Sequence, residues 1–153
     1  MIELTYNPIH AEELTSRVRT PSCGAVITFL GTVRDFTGEH YTQSLEYHAY
    51  IPLAEKEMLR IEQEIRKKWV IGDVVLIHRL GELAIGEISV AIAVSSPHRD
   101  EAFAACRFAI DEIKRTVPIW KKETGKDGQK QWIDQPDNTN NESQEKLGAF
   151  GAE

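Results

Sequence analysis

One stretch constrains the fold more than any other: "ISVAIAVSSPHRDEAFAACRFAIDEIKRTVPIW", residues 88–120. Its first part alternates. Ile88, Val90, Ile92 and Val94 share one side of a strand, while Ser89, Ala91 and Ala93 share the other, and small residues there let a helix or another sheet approach closely. The period then changes. Phe103, Cys106, Ile110, Ile113 and Val117 recur at three and four residues, the buried stripe of a long helix over 98–117, with Asp100 and Glu101 suited to its start. Pro118 ends it, because proline lacks an amide proton and disfavours helix in the residue before it. A strand feeding such a helix calls for helices layered on a sheet.

The rest of the chain fits that plan. "NPIHAEELTSRV" opens a helix, with Asn7 as cap and Pro8 at the first helical position. "GAVITFLGTVR" (24–34) reads as a strand with Gly31 as a bulge or close-approach point, and "DFTGEHYTQ" (35–43) as an exposed loop. "SLEYHAY" is a second strand, and Met58, Ile61, Ile65 and Trp69 mark one buried face of a helix over 52–69. Residues 73–96 form two strands turning around Gly81–Gly86, and "PIWKKE" pairs with "KQWID" in a hairpin around "TGKDG". The order β-α-β-β-α-β-β-α-β-β predicts an α+β fold, its helices on one side of a mostly antiparallel sheet, with a small extra β subdomain. Residues 1–133 make one domain, and 134–153 an acidic, flexible tail.

That tail carries five acids and one lysine, −4 of the formal net charge of −6. The remainder is near neutral, which argues against nucleic acid as the main partner. No apolar run reaches the ~20 residues of a membrane span, and the N-terminus lacks the basic head and apolar stretch of a signal peptide, so a cytoplasmic location is expected. Cys23 and Cys106 have no metal-ligand spacing, and Cys106 falls on a helix's apolar stripe as a buried, inert thiol. His40, His48 and His78 show no zinc spacing with Glu46 or Glu82, and no P-loop, dinucleotide fingerprint or elbow serine is present.

Three segments put cationic groups at the ends of elements: "FLGTVR" (29–34), "SSPHRDEAF" (95–103) and "KRTVPIWKKE" (114–123). His98 and Arg99 sit where a strand meets a helix start, a place that favours an anion. Lys114 lies at that helix's other end, and Lys121 just past Pro118. Ordinary roles compete: lysines at a helix C-terminus answer the macrodipole, a histidine after a strand caps a helix, and Trp120 and Trp132 serve packing. The cluster also suits a dimeric module that binds a phosphorylated metabolite without catalysis, or a Schiff-base lysine at Lys114.

Five blocks taken together, "FLGTVRD", "LEYHAY", "IHRLGELAIGEISV", "SSPHRDEAFAAC" and "IDEIKRTVPIWKKE", resemble in order and spacing the large, catalytic subunit of molybdopterin synthase, from about residue 24 to residue 133. The resemblance implies an α/β hammerhead-type fold and a homodimer. It implies that each end of the dimer binds a small ubiquitin-like subunit, giving a heterotetramer. That partner's C-terminal Gly-Gly carries a thiocarboxylate, which delivers sulfur twice to cyclic pyranopterin monophosphate. No cofactor or metal is then expected on this chain, because the nucleophile arrives on the partner. Carried over residue by residue, the family's substrate contacts fall on Thr32, Val33, Arg34, His98, Arg99, Lys114, Lys121, Lys122 and Glu123. Lys114 and Lys121 match the lysines to which the family's chemistry is attributed: Lys114 for the thiocarboxylate carbonyl and acyl intermediate, Lys121 for the pterin side. Arg34, His98 and Arg99 would hold phosphate, and the family pattern places the site near the dimer interface.

Overall fold

The computed structural model describes residues 1–133. The expectation of a flexible tail falls on residues outside this range. The elements run β1 (Ile2–Thr5), α1 (Ala11–Val18), β2 (Ala25–Thr32), β3 (Phe36–Thr37), β4 (His40–Ala49) and α2 (Ile51–Lys68). They continue β5 (Val74–Arg79), β6 (Gly81–Ala84), β7 (Ile88–Ser96), α3 (Arg99–Thr116), β8 (Ile119–Gly125) and β9 (Lys130–Ile133).

Two sheets result. The first has the order β1-β5-β7-β2, antiparallel except for the parallel β1–β5 pair. β7 lies inside it, buried from Ser89 to Ser96, which is why that strand carries no charge. Val90, Ile92 and Val94, with Val74 and Leu76, meet Met58, Ile61 and Ile65 of α2 and Cys106, Ile110 and Ile113 of α3 in the main core. Ala91 and Ala93, with Val75 and Ile77, meet Leu14 and Val18 of α1 on the other face. Helices therefore cover both faces of this sheet, not one as expected. The small side chains of β7 leave room for α1, and β5 is apolar on both sides.

Other departures have equally local causes. α1 starts at Ala11 with His10 at its N-cap, so Asn7 and Pro8 precede it. The chain leaving β1 turns first, and the Asn7 amide donates to Thr5 Oγ1 at 3.1 Å. Phe103 is 58% exposed; Ala102, Ala105, Cys106 and Ala109 make the buried face of α3 instead. Small alanines bring the helix down close to the sheet and turn the phenyl ring outward. Cys106 is buried, and burial pushes its thiol up to about 11. The segment expected as a loop contains β3, which pairs with the start of β4 across a turn where Gly38 takes φ +63°.

The second sheet runs β3-β4-β8-β9, with β6 also on β4. β8 and β9 form the expected hairpin. Cross-strand register sorts the sheet's side chains into two faces. Tyr47 stands opposite Lys121 and Leu45 opposite Glu123 on one face; His48 opposite Trp120 and Glu46 opposite Lys122 on the other. Among the described residues, no helix is long and apolar enough to cross a membrane.

Candidate active site

Arg34 is placed by a defect in a strand. Register slips between Gly31 and Thr32 as β2 leaves β7. A side chain on Gly31 would put a Cβ 2.5 Å from Val90 Cγ1, so the close approach requires glycine. Val33 follows, 3% exposed, packed with Leu45 and Leu83, its amide donating to Glu87 O at 3.0 Å. This anchor leaves Thr32 and Arg34 exposed on either side. Of the predicted contacts from this segment, Val33 is a core residue that holds its neighbours in place.

Lys114 stands in the last turn of α3, exposed, and the helix ends two residues later at Thr116. Val117 and Pro118 turn the chain, and β8 carries Lys121 back beside Tyr47. The charges of Lys114 and Arg34 both reach Lys121. Lys121 is held below the ordinary lysine range, first by burial and then by the Lys114 and Arg34 charges, with Glu123 opposing. Among the described residues, none of Arg34, Lys114 and Lys121 forms a salt bridge. Three cations without salt bridges among the described residues, one of them half-buried, make a place of positive potential suited to an anion.

Lys122 does not join them through its side chain. Strand alternation turns it to the other face, where its Nζ lies 5.2 Å from the Trp132 ring centroid. Glu123 returns to the inner face, 7% exposed and bonded to Thr42, where its charge supports the protonated Lys121. His98 and Arg99 are both exposed, at the N-cap and first position of α3, and the His98 side chain makes no cap. They lie at the opposite end of the helix from Lys114; fifteen residues at ~1.5 Å rise separate Arg99 from Lys114 by roughly 22 Å. One chain thus brings together Arg34, Lys114 and Lys121, and does not bring His98 and Arg99 to them.

Comparison with known proteins covers the same ground. A family model described as "MoaE protein" matches residues 4–116. The chain belongs to the MoaE family. A Bacillus subtilis (strain 168) protein named "Molybdopterin synthase catalytic subunit" is 47% identical over 131 residues, 86% of this chain and 83% of that one. A Staphylococcus carnosus protein of the same name is 48% identical, covering 86% and 87%. A crystal structure of molybdopterin synthase from Staphylococcus aureus superposes with TM-score 0.81 at 44% identity, over 86% of this chain and 96% of that one. The fold also matches, with TM-score 0.73 at 19% identity, a chain in a Helicobacter pylori complex of subunits 1 and 2 of molybdopterin-converting factor, over 88% and 91% of the two chains. The MoaE match contains Arg34, His98, Arg99 and Lys114 and ends before Lys121.

The site also holds residues that sequence reasoning passed over in this MoaE chain. His78 lies inside β5, 6% exposed, its ring edge-on to Tyr47 with centroids 5.2 Å apart. Burial, then the Lys114 charge, brings its pKa down to about 4, against the bond to the Arg79 carbonyl. Tyr47 is raised by burial, opposed by the Ser89 hydroxyl and the Arg34 charge. Both side chains are therefore uncharged near neutral pH. The available signal was a histidine set in the apolar run "VVLIHRL", where burial without metal or charge is the ordinary state.

Proposed function

We propose that this chain is the catalytic subunit of a cytoplasmic molybdopterin synthase, supplying positive electrostatics to a sulfur transfer whose nucleophile arrives on another chain. The observation that carries the reading is that the charges of Arg34 and Lys114 both act on Lys121, while none of the three forms a salt bridge among the described residues. A small ubiquitin-like subunit would present its C-terminal thiocarboxylate to cyclic pyranopterin monophosphate. The thiocarboxylate sulfur bonds to a substrate carbon as a carbon–oxygen bond there breaks, and water then hydrolyses the acyl–sulfur bond, returning the partner's tail as a carboxylate and leaving the sulfur on the pterin. Two such transfers complete the dithiolene. The chain itself needs no cofactor or metal, because the sulfur is imported.

The cations take distinct parts. Arg34 offers a planar, permanently charged fork to the phosphate. Lys114, exposed at a helix end, meets the thiocarboxylate carbonyl and the acyl intermediate. Lys121, half-buried and pressed by like charge, releases a proton more readily than an ordinary lysine and serves the pterin side as acid. Fixed charges in a partly dry site stabilise developing negative charge better than solvent water does.

The roughly 22 Å between the two ends of α3 supports a homodimer in which His98 and Arg99 of one copy complete the site of the other. Two experiments test the reading. Reconstitution with thiocarboxylated small subunit and cyclic pyranopterin monophosphate should release a dithiolene product, and Lys114→Ala or Lys121→Ala should cut its formation by at least about 10²-fold while leaving the fold intact. Wild-type turnover in either variant removes that lysine from the mechanism. Mixing a Lys114→Ala chain with an Arg99→Ala chain should restore about a quarter of wild-type activity if the site is shared across a two-fold dimer. No recovery in mixed dimers would place Arg99 with Lys114 of its own chain, and an Arg99→Ala chain active by itself would place Arg99 outside the site.

A further inference from the structure

Arg34 lies in the chain between β2 and β3, and among the described residues no carboxylate pairs with it. Its aim therefore depends on the backbone beneath it, which is gripped from the turn between β6 and β7. The Gly86 amide donates to Val33 O at 2.8 Å, and the Val33 amide donates to Glu87 O at 3.0 Å. Bonds in both directions, with the Val33 side chain buried against Leu45 and Leu83, fix the residue that precedes Arg34. The turn is itself locked by one side chain. The Glu87 amide donates to Ala84 O at 3.1 Å, with Gly86 between them at φ +83°. The Glu87 carboxylate folds back, one oxygen accepting from the Ala84 amide at 2.7 Å and the other lying 3.2 Å from Arg79 Nη1 at the end of β5. The Arg79 side chain is 12% exposed and its buried Nε has no hydrogen-bond partner among the described residues, so Glu87 is the carboxylate that answers its charge.

We propose that Glu87 is a positioning residue for phosphate binding: it locks the turn between β6 and β7, the turn clamps Val33 from both sides, and the clamp aims Arg34 at the substrate. The proposal rests on the functional reading above, in which Arg34 holds the phosphate, and assigns what orients it. The bulge creates the need. Register with β7 slips between Gly31 and Thr32, so the regular ladder stops just short of Arg34 and something else must guide the chain. A carboxylate paired directly with Arg34 would fix the guanidinium but cancel the charge that an anion needs. Holding the backbone instead leaves all the donors of the fork for the phosphate. Arg79 neutralises the Glu87 carboxylate, so the device adds no net charge beside the site. An exposed ion pair by itself contributes little, but here the same carboxylate also takes a charge-assisted bond from the turn's own amide.

The test uses the full chain, alone and assembled with the small subunit. In hydrogen exchange followed by NMR, the Val33 amide should exchange at least about tenfold faster in Glu87→Ala than in wild type, with Ile92 inside β7 unchanged. Glu87→Gln, whose amide oxygen still accepts from Ala84 but carries no charge for Arg79, should fall between them. In the assembled synthase, Glu87→Ala should raise KM for cyclic pyranopterin monophosphate about tenfold with kcat within about threefold, the pattern of lost ground-state binding. A general loosening of the fold would act independently of Arg34, so a double-mutant cycle decides: Arg34→Ala with Glu87→Ala should be no worse than Arg34→Ala alone. Additive losses would overturn the proposal. So would equal Val33 exchange in wild type and in whichever of the Ala and Gln variants folds. Absence of product from the wild-type assembly would instead defeat the functional reading. Inorganic phosphate titrated against the Arg34 Nε–H resonance then decides the role of Glu87: affinity should fall about threefold to tenfold in Glu87→Ala, and unchanged or undetectable binding would overturn it.

Discussion

The two faces of the β4–β8 ribbon carry nearly the same chemistry and do opposite things with it. On the inner face Lys121 stands beside Tyr47, and desolvation with the Lys114 and Arg34 charges holds it below the ordinary lysine range. On the outer face Lys122, one residue away, lies over Trp132 with His48 against the same indole and Glu46 opposite it. Trp120 and Trp132 are 51% and 59% exposed there. Adjacent lysines in one strand thus belong to different environments, because side chains alternate across a sheet. A cation becomes chemically useful where neutralising partners and water are both kept away.

The largest effect should separate the two lysines. Lys121→Ala removes a donor from a developing charge and should lower kcat by about 10²–10³-fold, the range for loss of one such group. Lys122→Ala should stay within a few-fold of wild type in the same assay. Comparable losses in both would collapse the distinction between the faces.

Burial on the inner side should next appear in the pH dependence of stability. His78 titrates at about 4 in the folded protein against an ordinary 6.5. The folded state therefore holds fewer protons than the unfolded one between those values, and stability falls as pH drops through that window. The depression corresponds to about 3 kcal/mol when complete. Denaturant unfolding at pH 7 and pH 4.5 should show most of this loss in the wild type and much less in His78→Gln; parallel losses would mean other groups drive it.

A smaller change should follow from Glu123→Gln. The Glu123 carboxylate favours the charged form of Lys121, so its removal should move the alkaline limb of the kcat profile to lower pH. A limb that moves upward, or not at all, would mean that Lys121 is not the acid being read. The outer face should give least. Trp132→Ala removes an exposed cation–π contact with Lys122 and should cost about 0.5–1 kcal/mol of stability, with sulfur transfer preserved.

Local pattern carried much of the fold. The strand-to-helix hand-over at residues 96–99, the helix stop before Pro118 and the terminal hairpin follow from period and punctuation, and the structure has all three. Phe103 shows the limit. It sits at the right spacing for the buried stripe yet lies outside it, because several alanines bring α3 so near the sheet that no large ring fits below. The helix layering failed for a related reason: a face of small residues permits a close neighbour without naming it, and α1 filled that place. In the site, the cations were visible as residue types at element ends. Their company was not, and His78 read as an ordinary histidine because Tyr47, which packs on its ring, and Lys114, whose charge acts on it, lie 31 residues before it and 36 after it in sequence.

The sequence by itself determined the α+β alternation, the glycine at the β2 bulge, the proline that turns Lys121 away from the axis of α3, and membership of a family. Those rest on the backbone's short-range preferences, which act within a few residues. Only the tertiary structure decided which of two adjacent lysines faces the site, that Arg34 joins Lys114 and Lys121, and that His98 and Arg99 lie a helix length away. Such choices depend on long-range pairing of strands and packing of helices, where a one-residue change of register would exchange the two faces.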